Sequence, residues 1–445
     1  MANKNSSTRD IVVNSITIVT SSGKVLDVSQ IFNVLNIYED IFSPITTGTI
    51  QLIDGINLYA QLELHGNEFI FISFNRPNDD AKFKRAFRLY KASEKAPSDS
   101  QAQSYVLHFC SEESIFSNQK TISKSFRGKI ITEYVRAICK EQLKIGSNKM
   151  SAFEDSIGIQ DIIIPRMHPL DAIELLAANS FDHNESTFLF YQNRDGFNFL
   201  PLTSILRAEP IITLQYSTAK LTEDESTAAF SNSNKISNFK FLNSFDLMQA
   251  TKSLTYSGKL YTLDILRQTY VSQEYNVSKI NKSHFIDGGN LPINNAPNRN
   301  EKAMFQESDA VINYSMTNHN QSNAPYLLSK VYRVTDTNVE NTLLQRQSQL
   351  NLLKNIQVEC IVPGNSLFSV GYIVQFDLPA FTPSKQVERL IDPYHSGKYL
   401  ITNVRHVITP SGGHQTILKL AKNSLASSLD TVNGTNSDYR KMRNL

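Results

Sequence analysis

Short β-type runs separated by turn residues dominate both ends of the chain, and none of them is longer than a single strand. Residues 11 to 111 contain Ile16-Thr17-Ile18-Val19, Val34 to Tyr38, Thr49 to Ile53, Phe69 to Phe74, Phe87 to Lys91 and Tyr105 to Phe109, all rich in β-branched or aromatic residues. Gly23, Gly55, Gly66-Asn67 and the cluster Pro77-Asn78-Asp79-Asp80 punctuate them, because Gly and Asn accept the positive φ that tight reversals need. Such spacing predicts a small barrel or sandwich over this region.

The pattern changes near residue 112. Over Lys129 to Leu143 the residues Ile131, Val135, Ile138, Cys139 and Leu143 fall on one helical stripe. A second helix is expected from His168-Pro169, with Leu170, Ile173, Leu176 and Ala177 facing inward. Asp161 to Pro165, Thr187 to Tyr191 and Phe197 to Leu200 read as strands, the last two joined by a hairpin turn at Asn193-Arg194-Asp195-Gly196. The middle of the chain is thus α+β. Residues 272 to 325 are polar, rich in Asn and Ser, and show no sustained period, so they read as a long surface excursion. A strand is expected over Tyr326 to Val334, then a helix capped near Thr335 or Asp336 that carries Leu343, Leu344, Gln347 and Leu350. Residues 356 to 421 are again strand-rich.

The two β regions share a layout. Gly66-Asn67 leads to Phe69–Phe74, then to Arg88–Lys91 and Tyr105–Phe109; Gly364-Asn365 leads to Gly371–Phe376, then to Lys398–Val404 and Gln415–Leu420. This echo predicts a duplicated barrel.

At 445 residues the chain exceeds what one hydrophobic core usually organises, so two to four domains are expected. No apolar stretch approaches a membrane-spanning length, so no membrane insertion is expected, and the polar amino terminus lacks a secretory core, which predicts a protein that stays in the cytoplasm where it is made. With 44 basic against 42 acidic residues there is no overall nucleic-acid footprint, and any contact with DNA should be transient. Cys110, Cys139 and Cys360 are odd in number and far apart, which suits reduced packing residues and neither a disulfide framework nor a zinc knuckle.

Chemistry-bearing residues are sparse. His395, His406 and His414 lie near the end of the chain with Asp392, and His406 and His414 flank one hairpin turn, but ligand-type spacing is missing, so they read as polar strand positions and not as a metal site. The carboxylate pairs Asp79-Asp80 and Glu112-Glu113 and the run Glu223-Asp224-Glu225 sit in polar, turn-like surroundings and read as solvated loops. Lys82-Phe83-Lys84-Arg85 follows Asp79-Asp80 directly, so its charge is largely offset and no nucleic-acid patch is expected. Without a Gly-x-Ser-x-Gly elbow, a phosphate loop or a His-Glu-x-x-His motif, the chain is expected to be no enzyme, to hold no cofactor or metal, and to have no catalytic residues.

At these residues the chain resembles the central hub of contractile phage baseplates. The resemblance is spread over Ile37-Tyr38-Glu39-Asp40-Ile41, Thr47 to Gly55, His65 to Phe74, Glu112 to Phe116, Ser123 to Gly128, Pro169 to Ile173, Gly397 to His406 and the Pro410-Ser411-Gly412-Gly413 turn, covering most of residues 30 to 425. It implies a mainly β fold with an α+β insertion: two tube-type β-barrels and a central α+β domain. The expected boundaries are 1–111 for the first barrel, 112–205 for the first part of the α+β domain and 206–250 for the start of the second barrel. An excursion of the α+β domain follows over 251–325, the rest of the second barrel with one helix over 326–423, and a flexible tail over 424–445. The same resemblance implies a homotrimeric, pseudo-sixfold ring in the virion's tail baseplate, with a channel for genome ejection. Its implied partners are the central spike protein, tail tube subunits and surrounding baseplate wedge proteins, with DNA passing transiently through the channel. The hub region of a contractile injection machine or tailocin is the structural alternative; there the hub is commonly fused to its spike, whereas this chain ends in a short polar tail. A tail-associated cell-wall hydrolase would require paired carboxylates or a cysteine-histidine arrangement in the α+β domain, and a receptor-binding tail-tip protein would adsorb directly to host cells.

Overall fold

A computed structural model describes residues 11–75, 83–99, 101–182, 187–216, 234–264, 268–280, 282–287, 290–291, 311–316, 339–379, 391–392, 394–411 and 413–426. The fold is mainly β with α+β parts, as the strand-and-turn pattern implied.

The first unit holds β1 (Val12–Val19), β2 (Val25–Asp27), β3 (Phe32–Asp40), β4 (Thr47–Asp54), β5 (Phe69–Asn75), β6 (Phe83–Asp99) and β7 (Ala102–Cys110), with a short helix α1 (Leu58–Gln61) after β4. All six runs read from the sequence fall inside these strands. Their inward residues alternate as a half-buried strand requires: Ile16 and Ile18, Leu35 and Ile37, Ile70, Ile72 and Phe74, then Leu107 and Phe109, share one apolar core. Gly48 on β4 is required by close packing, since a Cβ there would overlap the ring of Phe109 and the carbonyl of Asn36.

The middle segment holds α2 (Glu112–Asn118), β8 (Ile122–Lys129), α3 (Ile131–Glu141), β9 (Met150–Phe153), β10 (Gln160–Met167), α4 (Pro169–Asn179), β11 (Phe188–Asn193), β12 (Gly196–Pro201) and α5 (Leu202–Leu206). Ile131, Val135, Ile138, Cys139 and Leu143 are all buried, as are Ile173, Leu176 and Ala177, so both helical stripes face the core in which the aromatics of β11 and β12 also pack. The hairpin β11–β12 closes with Asn193 opposite Gly196, and the Asn193 side chain accepts the N–H groups of Asp195 and Gly196.

The second unit begins with β13 (Thr213–Tyr216), β14 (Lys235–Ile236) and β15 (Asn238–Asn243), and resumes after an insertion with β19 (Ile356–Pro363), β20 (Ile373–Asp377), β21 (Gly397–Ile408) and β22 (His414–Lys422). The insertion carries α6 (Leu247–Lys252), β16 (Ser257–Asp264), β17 (Thr269–Asn276), β18 (Val311–Met316) and α7 (Val339–Leu352).

Within the insertion the structure departs from the sequence reading. The polar excursion contributes strands: β17 pairs antiparallel and β18 parallel to β16, making a three-stranded sheet. Backbone pairing needs no apolar period, which is why the composition of these strands concealed them. The segment 282–287 also packs onto the second unit, where Ile286 is buried and donates its N–H to Asn423 Oδ1 at 3.0 Å. Ser424 and Leu425, expected to open a flexible tail, are instead buried, and Leu425 donates to the Asn290 carbonyl at 2.7 Å; residues 427–445 lie outside the described residues. On α7 the buried stripe is Leu344, Ser348 and Leu352, with Ser348 Oγ donating to the Thr255 carbonyl at 2.5 Å, while Leu343, Gln347 and Leu350 lie half-buried. The strand expected at Tyr326 to Val334 and the cap at Thr335 or Asp336 lie outside the described residues.

The two units are parts of one 14-stranded sheet. In the first, the pairing order is β1-β5-β6-β7-β4-β3; in the second it is β13-β20-β21-β22-β19-β15. The places correspond in chain order, with one difference: β13 runs parallel to β20, whereas β1 is antiparallel to β5. β3 and β21 join the units through antiparallel pairs from Leu35 opposite Ile408 to Asp40 opposite Asn403.

Candidate functional site

The most organised polar region lies where the first unit, the middle segment and the second unit meet. On β3 the residues Leu35, Ile37 and Glu39 share one face, and on β6 so do Phe83, Arg85, Phe87 and Leu89, so strand alternation turns Glu39 and Arg85 inward among apolar neighbours. Glu39 is 3% exposed and Arg85 lies 3.8 Å from its Oε1. Burial raises the Glu39 carboxyl pKa, opposed by the nearby guanidinium and by bonds from Ser369 Oγ and the Val370 N–H at 3.3 Å. Burial lowers the Arg85 pKa, opposed chiefly by Glu39.

The β11–β12 turn completes the network. Arg85 donates to the Asn193 carbonyl and, at 3.3 Å, to Thr46 Oγ1. Gln192 Oε1 accepts the Thr46 N–H at 2.9 Å and the Ser111 hydroxyl. Arg194 donates its N–H to Ser369 Oγ at 2.8 Å, and Tyr372 donates its hydroxyl to Asp195. Apart from the Arg85 contacts with Glu39 and Thr46 inside the first unit, each bond pairs a group from one part of the chain with a group from another, so the network fixes the parts relative to one another. It presents no open nucleophile or acid.

This network was missed because Lys82-Phe83-Lys84-Arg85 was read as a charge cluster offset by Asp79-Asp80. Arg85 is instead enclosed and ion-paired; Asp79, Asp80 and Lys82 lie outside the described residues. The signal was present in the two-residue period of Phe83, Arg85 and Phe87. Glu112 and Glu113 are likewise not a solvated loop. They open α2, where Glu112 accepts from Arg88 at 2.7 Å and the buried Glu113 accepts from Lys149 at 2.9 Å, both at the end of the helix that favours negative charge. Glu223-Asp224-Glu225 lies outside the described residues.

The histidines separate into two places. His406 and His414 do meet, with Nδ1 and Nε2 at 3.1 Å and the Thr416 hydroxyl at 3.3 Å from His406 Nδ1, all buried between β21 and β22. Burial pushes the His406 pKa down to about 4. His395 sits apart in the turn before β21, its Nδ1 2.8 Å from Asp392 Oδ2. Among the described residues no group of three or more His, Cys, Asp or Glu side chains is arranged to hold a metal ion. Cys110, Cys139 and Cys360 are all buried and unlinked, and burial raises each thiol, to about 11 for Cys110 and about 12 for Cys139.

No protein-family model matches the chain, and no curated protein matches its sequence. Among solved structures it is similar to the tail protein of Neisseria meningitidis MC58, with 10% identity, a TM-score of 0.54, and coverage of 92% of this chain and 96% of the other. It is also similar to the 43 kDa tail protein of prophage MuSo2 from Shewanella oneidensis, with 10% identity, a TM-score of 0.50, and coverage of 93% and 99%. At this identity the likeness establishes a shared fold over nearly the whole length of each chain.

Proposed function

We propose that this chain is a structural hub of a phage tail baseplate. In this reading the two units are tube-type β-barrels, the segments 112–205 and 251–325 decorate them, and three copies form a ring with pseudo-sixfold symmetry around a channel. The ring joins the central spike on one side to tail tube subunits on the other, with wedge proteins around it, and DNA crosses its channel during ejection. The observation that carries the reading is the repeated strand order held in one sheet by β3 and β21. A chain with two like units set side by side presents six like units when three copies close, which is how a threefold partner can be matched to a sixfold one. The fold shared with two tail proteins supports the same reading. So does the character of the buried polar network, whose groups are consumed in fixing one part of the chain to another. The near balance of 44 basic and 42 acidic residues suits a passage for DNA, since a strongly basic wall would hold phosphates by counterion release.

The test is the mass of the purified protein by light scattering, alone and mixed with the spike protein encoded beside it. A trimer alone or a three-to-three complex is expected. A monomer under both conditions refutes the ring. Clearing of host peptidoglycan in a zymogram, lost when a single acidic residue is neutralised, refutes the structural assignment in favour of a wall hydrolase.

A further inference from the structure

The two units correspond in pairing register, apart from bulges that one unit has and the other lacks, at Leu242 on β15 and between Ser93 and Ala96 on β6. Arg88 on β6 lies between Phe69 and Cys110, as Leu400 on β21 lies between Ile373 and Ala421. Both strands then bulge at the same step, between Leu89 and Lys91 and between Ile401 and Asn403. Farther on, the row Leu35, Ile50, Leu107, Ala92 across β3, β4, β7 and β6 matches the row Phe239, Cys360, Leu418, Val404 across β15, β19, β22 and β21.

This correspondence exposes an asymmetry. Past its bulge, β21 has lost β20 and takes β3 along that edge. Past its own bulge, β6 has lost β5 and, among the described residues, pairs only with β7. β3 lies between β4 and β21, whereas its counterpart β15 pairs, among the described residues, only with β19. The residue following β3 tells the same story. Ile41 donates its N–H to the Thr402 carbonyl at 2.9 Å and is fully buried in the core of the second unit. At the same end of β15, past a bulge at Leu242 that β3 lacks, Phe245 is 77% exposed, with Leu242, Leu247 and Met248 exposed around it. The counterpart of Thr402 is Tyr90, which lines a cleft of about 310 Å³ together with Leu64, Leu89 and Leu107 and with the polar His65, Glu68 and Lys91. Among the described residues, one edge and the exposed Phe245 have no seat, and the matching edge and cleft have no occupant.

We propose that the occupant is a second copy of this chain: β15 of one copy adds antiparallel to the 90–96 edge of β6 in the next, and Phe245 fills the cleft at Tyr90. The contact satisfies backbone groups on both edges and buries Phe245 as Ile41 is buried within the chain. Its two faces differ, so it is head-to-tail, and it repeats until the rotation closes. Closure at three copies rests on the hub reading above; the contact itself does not.

The internal pair Arg405 opposite Tyr38 translates to Ser93 opposite Asn243 in the next copy. Under mild oxidation the double variant Ser93→Cys with Asn243→Cys is expected to yield covalent dimer and trimer on a non-reducing gel, and each single variant to yield neither. Phe245→Asp, at an exposed position, is expected to raise the midpoint concentration of assembly by light scattering at least about tenfold, with an unchanged far-ultraviolet circular dichroism spectrum. An assembled wild type in which the double variant fails to crosslink overturns this contact while leaving the ring standing. So does an assembled wild type whose midpoint Phe245→Asp leaves unmoved. A wild type that is monomeric throughout and a double variant that stays uncrosslinked overturn both.

Discussion

Acidification is expected to loosen the second unit through His406. The ring is 2% exposed, set on β21 between β3 and β22, with His414 and Thr416 beside it. Burial holds its pKa near about 4 in the folded chain, against 6.5 for the free side chain. Between those values the unfolded chain binds the proton and the folded chain does not, so stability rises with pH across that window. The contribution is complete above the unfolded value and is lost as pH falls through 6.5 toward 4. A gap of that size corresponds to ~3 kcal/mol at about 1.4 kcal/mol per tenfold change in proton affinity. The assay is urea unfolding followed by far-ultraviolet circular dichroism between about pH 7 and about pH 4.5, for the wild type and for His406→Leu. The variant's absolute stability is immaterial; the quantity compared is its loss on acidification, expected to be smaller than the wild type's by ~2 to 3 kcal/mol. Equal losses in the two proteins would show that His406 takes no part in the acid response and would refute the reasoning.

Ile41→Ala removes a side chain of the first unit from the core of the second, and is expected to cost ~2 to 5 kcal/mol in the denaturant midpoint of the second unit. Arg85→Ala leaves Glu39 buried without its guanidinium and is expected to cost ~3 to 5 kcal/mol. Adding Glu39→Gln to that variant is expected to recover part of the loss in a double-mutant cycle. Gly48→Ala is expected to lower the thermal midpoint, or to abolish folding, because the new methyl has no room beside Phe109 and Asn36. A thiol reagent is expected to leave Cys110, Cys139 and Cys360 untouched in the native protein and to label all three after denaturation, which absorbance of the released chromophore would count.

Local pattern was enough to recover six strands of the first unit, β20, β21 and β22 of the second, the stripes of α3 and α4, and the turn at Asn193 to Gly196, because each depends on neighbours a few residues away; it named no strand at β2, β13, β14 or β15. The same two-residue period that placed Ile37 and Phe87 inward also placed Glu39 and Arg85 inward, but charge argued for the surface, and only the fold shows that the two are brought together from opposite strands. The echo between the two β regions was legible as layout; that it extends to strand order, to a shared bulge and to opposing rows was not, since pairing joins residues far apart in sequence. β17 and β18 are short and far apart in a stretch rich in Asn and Ser, where the alternation of Ile312, Tyr314 and Met316 is too brief to stand out, and their pairing with β16 joins residues distant in sequence. The sequence by itself determined the mainly β character with its α+β middle, since strand and helix periods are properties of the chain. Only the tertiary structure decided that β3 lies against β21 while, among the described residues, β15 and the far edge of β6 have no second partner, because an edge is defined by which distant strand arrives to cover it.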